Sequence, residues 1–139
     1  MATLTPTLTL ASTDISASET LNLTLTDSLS VLGPVQTKRM TIDSGATNLE
    51  TANIVLAEGS YTKSYVLLYN TSTAASGEII TLGENADTNA ALDYTNMSLS
   101  PGEWAFYPWD ASVDIVADAS SGTPVLEIRI YQTAPEIKN

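Results

Sequence analysis

The sequence contains no cysteine and no histidine, and it has only 5 basic residues against 16 acidic ones. Without cysteine there is no disulfide, no thiolate nucleophile and no thiolate metal site. Without histidine, Ser-His-Asp and Cys-His catalytic systems are excluded, together with the usual zinc sites. These absences predict a protein that is not an enzyme and that uses no cofactor or metal.

Positive charge is scarce, and the formal net charge is −11. Nucleic-acid phosphates and anionic membrane surfaces repel a chain this acidic, so neither is an expected partner. The basic residues are scattered, and only Lys38 and Arg39 are adjacent. That pair is more typical of a solvated turn than of a binding site.

Long apolar runs are also missing, because no stretch approaches the roughly 18 consecutive apolar residues of a membrane span. The N-terminus lacks the positive start and the apolar run of a signal peptide. We therefore expect the protein to fold and assemble in a cytoplasm.

What the sequence does contain is alternation: leucine alternates with small polar residues over residues 4–10 and again over residues 21–26. A period of two predicts strands with one apolar and one polar face, and the threonines favour such strands. Pro6 cannot donate to a strand ladder, so the first strand is expected at an edge or in an arm. The small polar residues 11–20 predict a loop or an extended arm.

The remaining sequence predicts an all-β fold. Residues 64–70 form a continuous apolar run typical of a core strand, and about eight to ten short strands are separated by Gly, Pro, Asn and Asp turns. This pattern favours an antiparallel β-sandwich or a jelly-roll-like barrel. We expect residues 1–20 to form an extended N-terminal arm or edge strand and residues 21–139 a single sandwich domain. Residues 47–57, the best helical candidate, predict at most one turn.

Carboxylates are the only abundant titratable groups, so a two-carboxylate glycosidase is the first enzyme hypothesis. Glu103, Asp110 and Asp114 lie near Trp104 and Trp109, which supply rings for sugar stacking. Sequence spacing does not place two carboxylates across a cleft, however, and solvated residues flanking an aromatic strand are the favoured interpretation.

A calcium site is the second hypothesis. Asp110, Asp114 and Asp118 recur every fourth residue, which on a strand would place them on one face. No twelve-residue calcium loop with its central glycine is present. An acidic surface is therefore the favoured interpretation.

Residues 104–109 form the most informative segment, since they follow a Pro-Gly turn signal and are rich in aromatic side chains. Alternation predicts Trp104 and Phe106 on one face, and Tyr107 and Trp109 on the other. Either one face packs in the core while the other meets a partner, or both faces are buried in one sandwich. The sequence leaves these two interpretations open.

Several of these segments together resemble a known group of proteins. The matching parts are residues 1–10, residues 21–29, the strand at 65–70 that ends in Tyr-Asn, the Leu-x-Pro-Gly-Glu-Trp-Ala-Phe stretch at 99–106, and residues 125–131. The sequence is similar to small virion structural proteins of tailed phages that infect marine bacteria, including cyanophages. It departs from them in residues 83–96 and 133–139.

The resemblance implies a virion role, either as a capsid decoration (cement) protein or as part of a tail or fibre. Decoration implies binding to the major capsid protein on the head surface and self-association, for which we expect a homotrimer. The alternative is host attachment, with a carbohydrate-binding face made of Tyr94, Trp104 and Trp109. The candidate interface residues are Leu4, Pro6, Leu8, Leu10, Trp104, Tyr107 and Trp109.

Overall fold

The computed structural model describes residues 2–32, 36–44, 54–57, 63–84 and 94–133, and within these ranges it contains strands and no helix. The predicted all-β class is confirmed. The twelve strands are β1 (Ala2–Leu4), β2 (Thr7–Ser12), β3 (Leu21–Thr26), β4 (Leu29–Val31), β5 (Gln36–Thr41), β6 (Ile54–Leu56), β7 (Ser64–Asn70), β8 (Ile80–Glu84), β9 (Tyr94–Leu99), β10 (Trp104–Trp109), β11 (Ile115–Ala119) and β12 (Val125–Gln132).

Eight of the strands form two four-stranded antiparallel sheets. The front sheet has the order β10-β7-β12-β5, and the back sheet has the order β6-β11-β8-β9. The pairs are nested in the sequence, because β5 pairs with β12, β6 with β11, β7 with β10 and β8 with β9. One further pair completes each sheet at its centre, β7 with β12 in the front sheet and β8 with β11 in the back sheet. The arrangement is that of an antiparallel β-sandwich.

The core lies between the two sheets and follows from the alternation within each strand. Along β7 every second residue is buried, so Val66 and Leu68 point inward. Ile128 of the front sheet and Leu82 of the back sheet belong to the same buried cluster. Branched aliphatic side chains fill the space between the sheets, as expected of two pleated faces that pack on each other.

The described strands do not close into a barrel, because each sheet keeps two edge strands. The front-sheet edges carry features that oppose the addition of another strand. Lys38 in β5 pairs with the buried Ile128 and so projects toward the core side, while Pro108 in β10 has no amide hydrogen to donate. Partial burial lowers the pKa of Lys38.

The N-terminal segment, for which an extended arm or edge strand is predicted, forms a two-stranded ribbon with β3. β2 pairs with β3 over its whole length, from Thr7 opposite Thr26 to Ser12 opposite Leu21. The boundary expected after residue 20 therefore lies inside a hairpin. Pro6 lies in the break between β1 and β2, where its carbonyl accepts a hydrogen bond from the Asp27 amide at 3.2 Å.

The ribbon is attached to the sandwich through β4, which pairs with β1. Leu29 and Val31 in β4 are buried, and Val31 forms a bridge to Thr133 just after β12. The Leu32 amide donates to the Gln132 carbonyl at 2.8 Å. These contacts hold the base of the ribbon at one end of the front sheet.

Two predictions concern residues that the structure describes only in part. Residues 47–53 of the predicted helical turn lie outside the described residues, and residues 54–56 form β6. Most of the divergent stretch at 83–96 and of the C-terminal tail is likewise outside them. Within the described part of the chain, no helix has the length and apolar character needed to cross a membrane.

Candidate interaction surface

β10 places its aromatic side chains on opposite faces of the front sheet, as the alternation predicts. Tyr107 and Trp109 face the core, where Trp109 is 2% exposed and its indole N–H donates to the Val113 carbonyl at 3.1 Å. Trp104, on the outer face, is 57% exposed. The structure therefore does not bring Trp104, Tyr107 and Trp109 together in one surface, and the core holds the last two.

The core-side position of Tyr107 has an electrostatic consequence. Burial of the phenol, together with the negative charge of Glu84, raises the pKa of Tyr107 to about 12. Both effects disfavour the phenolate, because it would be poorly solvated and would face a carboxylate.

The outer face of the front sheet carries a cluster of aromatic rings around Phe106. The ring of Phe106 stacks on Tyr65 with centroids 5.9 Å apart, and it meets Tyr131 at 6.3 Å in a tilted geometry. The Lys63 ammonium lies 6.0 Å from the centre of the Tyr65 ring. Strand register explains the cluster, since β10, β7 and β12 are neighbours and their outer residues fall side by side.

An apolar groove separates this cluster from the base of the ribbon. Its volume is about 400 Å³, and it is open to solvent on one side. The ribbon contributes Leu4, Pro6, Thr7 and Leu8, and the front sheet contributes Leu67, Trp104, Phe106 and Tyr131. Four of the predicted interface residues, Leu4, Pro6, Leu8 and Trp104, thus line one groove.

The ribbon itself has one face made of leucine and one made mostly of threonine. Leu8 lies opposite Leu25, and Leu10 lies opposite Leu23, so these four side chains form what we call the leucine face. All four are between 39% and 56% exposed. An apolar patch on a projecting element is typical of a contact surface.

Charge is divided between the two regions. The ribbon segment, residues 2–32, contains Asp14, Glu19 and Asp27 and no basic residue. The four strands of the front sheet contain three basic residues and one acidic residue, Glu127. An excess of positive charge on this sheet is notable in a chain whose net charge is −11.

Two arginines on the outer face share the one carboxylate. Arg39 donates to Glu127 at 3.0 Å through Nη2, and the Arg129 Nε lies 3.5 Å from the other carboxylate oxygen. The side chains of Arg39 and Arg129 are 67% and 45% exposed, so solvent screens these pairs and they contribute little to stability. The outer face therefore offers exposed guanidinium groups beside aromatic rings.

The carboxylates proposed for hydrolysis lie at opposite ends of β10 and close local turns. Glu103 accepts a hydrogen bond from the Ser100 amide at 2.8 Å, and Asp110 accepts from the Ser112 amide at 2.9 Å. The bonds from Ser112 lower the pKa of Asp110. Six strand residues separate the two groups, a span of about 20 Å, whereas glycosidase carboxylates lie about 5–10 Å apart. They are not placed to act as a pair.

The candidate calcium ligands do not share one strand, since Asp110 and Asp114 precede β11 and only Asp118 lies within it. Across residues 2–32, 36–44, 54–57, 63–84 and 94–133, no group of three or more acidic side chains is placed to hold a metal ion. The structure describes nothing of the Tyr94 side chain.

Sequence reasoning missed the residue that ties the two sheets together at one end. Asn70 is fully buried, and its amide donates to the Leu99 carbonyl at 2.9 Å and to the Glu78 carbonyl at 3.0 Å. Its side-chain oxygen accepts from the Ser72 amide at 3.0 Å. No signal in a single sequence distinguishes this asparagine from one in an exposed turn.

The groove, the leucine face and the outer aromatic cluster together form the candidate interaction surface. Comparison of the chain with protein-family models, with curated protein sequences and with solved structures gave no match.

Proposed function

We propose that this protein is a phage virion structural component, namely a capsid decoration protein that binds the outside of the major capsid protein lattice. The observation that carries the proposal is the leucine face, whose four leucines stay 39–56% exposed on a ribbon that projects from the sandwich. A two-stranded ribbon is marginally stable in water on its own. A ribbon with an exposed apolar face is suited to an assembly in which a partner covers it.

The sandwich supports a structural role in a virion. The pairing of eight strands as nested hairpins supports a jelly-roll architecture, which we propose for the sandwich. Jelly rolls recur in capsid proteins and also in lectins and cupins, so this support is an analogy at the level of the fold. The resemblance of the sequence to marine phage virion proteins supports the same role.

The distribution of charge also supports it. A net charge of −11 keeps free copies soluble and apart before assembly in the host cytoplasm. The partners we propose are the major capsid protein and further copies of this chain, as a homotrimer, with no nucleic acid and no membrane. The role requires no catalysis and no cofactor.

Localisation and copy number in the virion test the proposal. In a cryo-EM map of the intact particle, we expect density for this sandwich on the outer capsid surface, in a number comparable to that of the capsid subunits. Particles that lack the protein should release DNA at a lower temperature. Density confined to the tail, in a few copies per particle, would contradict decoration.

Host attachment is the second candidate, and the exposure of Trp104 favours it. An exposed indole beside an apolar groove is suited to stacking on a sugar ring, and Phe106 lines the same groove. Trp109, which was predicted to share this face, is in the core, so the proposed sugar platform is limited to the groove. Binding of the wild-type protein, and not of Trp104→Ala, to host polysaccharide on a glycan array would favour attachment over decoration.

A further inference from the structure

Two surfaces of this molecule complement each other in both polarity and charge. The ribbon presents the leucine face and carries acidic residues only, at positions 14, 19 and 27. The outer face of the front sheet presents exposed Trp104 and two exposed arginines around one carboxylate. It also forms one side of the apolar groove, whose other side is the base of the same copy's ribbon. The two surfaces are alike in apolar character and opposite in charge.

We propose that the ribbon of one copy docks on the outer face of the front sheet of a second copy, so that copies join head to tail in a closed ring. The occupant of each surface is therefore this same chain. The inference deepens the self-association that belongs to the proposed decoration role by naming the two surfaces in contact.

Charge argues for ribbon on sheet over ribbon on ribbon. A symmetric contact between two leucine faces would bring two wholly acidic segments together, and like charges across an interface are unfavourable. In the head-to-tail contact, the ribbon carboxylates approach Arg39, Lys63 and Arg129. The leucines then enter a region lined by Leu67 and Phe106.

Size argues in the same direction. Six paired residues make the ribbon about 20 Å long, and four strands spaced about 4.8 Å apart make the front sheet similarly wide. The edges of the front sheet oppose strand addition through Lys38 and Pro108, so a contact made through this sheet uses its outer face. A contact between unlike surfaces closes into a ring or extends into a filament, according to its rotation angle.

The test is mass measurement by analytical ultracentrifugation of the purified full chain and its variants. The ribbon variant is Leu10→Thr/Leu23→Thr, which removes the distal half of the leucine face and replaces it with β-branched residues that favour strands. Its matched control is Thr9→Ser/Thr24→Ser on the opposite face of the same ribbon. The sheet variants are Trp104→Ser and, separately, Arg39→Glu, both at exposed positions.

We expect the wild type and the threonine-face control to form a discrete oligomer, namely the trimer proposed for the decoration role. The ribbon variant and each sheet variant should be monomers at concentrations where the wild type associates, a weakening of about tenfold or more. Circular dichroism spectra that match the wild type would show that the variants are folded.

Mixing distinguishes the two kinds of contact. The ribbon variant keeps an intact sheet face and the Trp104→Ser variant keeps an intact ribbon, so an equimolar mixture should form a heterodimer through one restored contact. An oligomeric Trp104→Ser variant on its own, a mixture that stays monomeric, or a monomeric wild type would each overturn the inference. A wild type that is monomeric in solution yet abundant on heads would overturn the inference and leave decoration of the capsid in place. A ring that is absent from heads would support the inference and contradict decoration.

Discussion

The ribbon and the sandwich are built from the same kind of strand, yet their apolar side chains have opposite environments. Val66 and Leu68 in β7 are fully buried, whereas Leu8 and Leu10 in β2 are 41% and 43% exposed. Both strands alternate, so alternation defines an apolar face in each. Burial depends on the neighbours: β7 lies between two strands of the front sheet and faces the back sheet, and β2 has β3 alone.

The difference in burial means that the sandwich and the ribbon contribute unequally to the free energy of unfolding. Complete burial of an aliphatic side chain contributes about 1.5–3 kcal/mol, and the sandwich strands realise that contribution within one chain. The ribbon leucines keep much of their surface in water, so the ribbon belongs to the low-stability part of the molecule. The contact proposed above would bury them, and the contrast between the two regions therefore defines a set of measurements.

The largest effect is expected from truncating a leucine in each region. Leu68→Ala removes a fully buried side chain that packs in the core cluster, and it should lower the free energy of unfolding by about 4 kcal/mol. Leu10→Ala should lower it by about 1 kcal/mol or less in the monomer, because that side chain is half solvated. Urea denaturation at low protein concentration measures both values. Equal losses would show that the ribbon is packed as tightly as the core.

Asparagine offers the second comparison. Asn70→Ala removes three hydrogen bonds from a fully buried site and leaves two carbonyls and one amide without their partner. We expect a loss of about 3 kcal/mol in the free energy of unfolding. Asn22→Ala, on the exposed polar face of the ribbon, is the matched control and should change it by about 0.5 kcal/mol or less. A loss at Asn70 no larger than at Asn22 would contradict the cross-linking role.

Sequence patterns predicted the fold class, the alternation of side chains along β10, and the two strands that form the ribbon. They left open whether residues 11–20 form a loop or an extended arm, because a small polar segment is compatible with both. The pairing of Leu8 with Leu25 is a matter of register, which one strand does not encode. The leucine face could therefore not be recognised before the structure was known.

Individual residues of the candidate surface were predictable from the sequence, but their arrangement was not. Trp104 was recognised because aromatic residues repeat along β10, and Leu8 because of its alternation. The rings that surround Phe106 come from β7 and β12, more than 20 residues away in each direction along the chain. Non-local pairing decides which outer side chains become neighbours, so the groove follows from sheet order and not from any one segment.

Tyr107 provides a third measurement, which concerns the core side of β10. In the unfolded chain a tyrosine loses its proton near pH 10, whereas in the folded protein the pKa of Tyr107 is raised to about 12. Between pH 10 and 12 the unfolded state binds fewer protons than the folded state, so the free energy of unfolding decreases as the pH rises. The contribution is intact below about pH 10 and is lost as the pH approaches 12.

A shift of this size corresponds to at most about 2.7 kcal/mol, and partial exposure of the ring reduces the expected loss to about 2 kcal/mol. We therefore expect the stability of the wild type to fall more steeply than that of Tyr107→Phe between pH 10 and 12, as measured by denaturation at several pH values. The two proteins differ only in the hydroxyl of residue 107, so the difference between the two slopes isolates Tyr107. Parallel slopes would place the phenol in solvent.

The smallest effect is expected in the turns, where the two regions also differ. The described loops of the sandwich contain residues with positive φ, whereas residues 13–18 at the ribbon end contain none. Gly122 has a φ of +62°, and a Cβ there would overlap the Glu78 carboxylate; Gly77 has a φ of +65° and open space around it. Alanine at either position incurs about 1 kcal/mol of backbone strain.

Alanine at residue 122 has a second effect that alanine at residue 77 lacks. The Glu78 side chain must turn away from the new Cβ and lose its 3.2 Å hydrogen bond from the Ser72 hydroxyl. Gly122→Ala should therefore be less stable than Gly77→Ala by about 1 kcal/mol in urea denaturation. In a Glu78→Ala background, the two alanine substitutions should become equal, because the overlapping carboxylate is gone. If the difference persisted there, backbone strain specific to the β11–β12 turn, and not the Glu78 contact, would account for the glycine at 122.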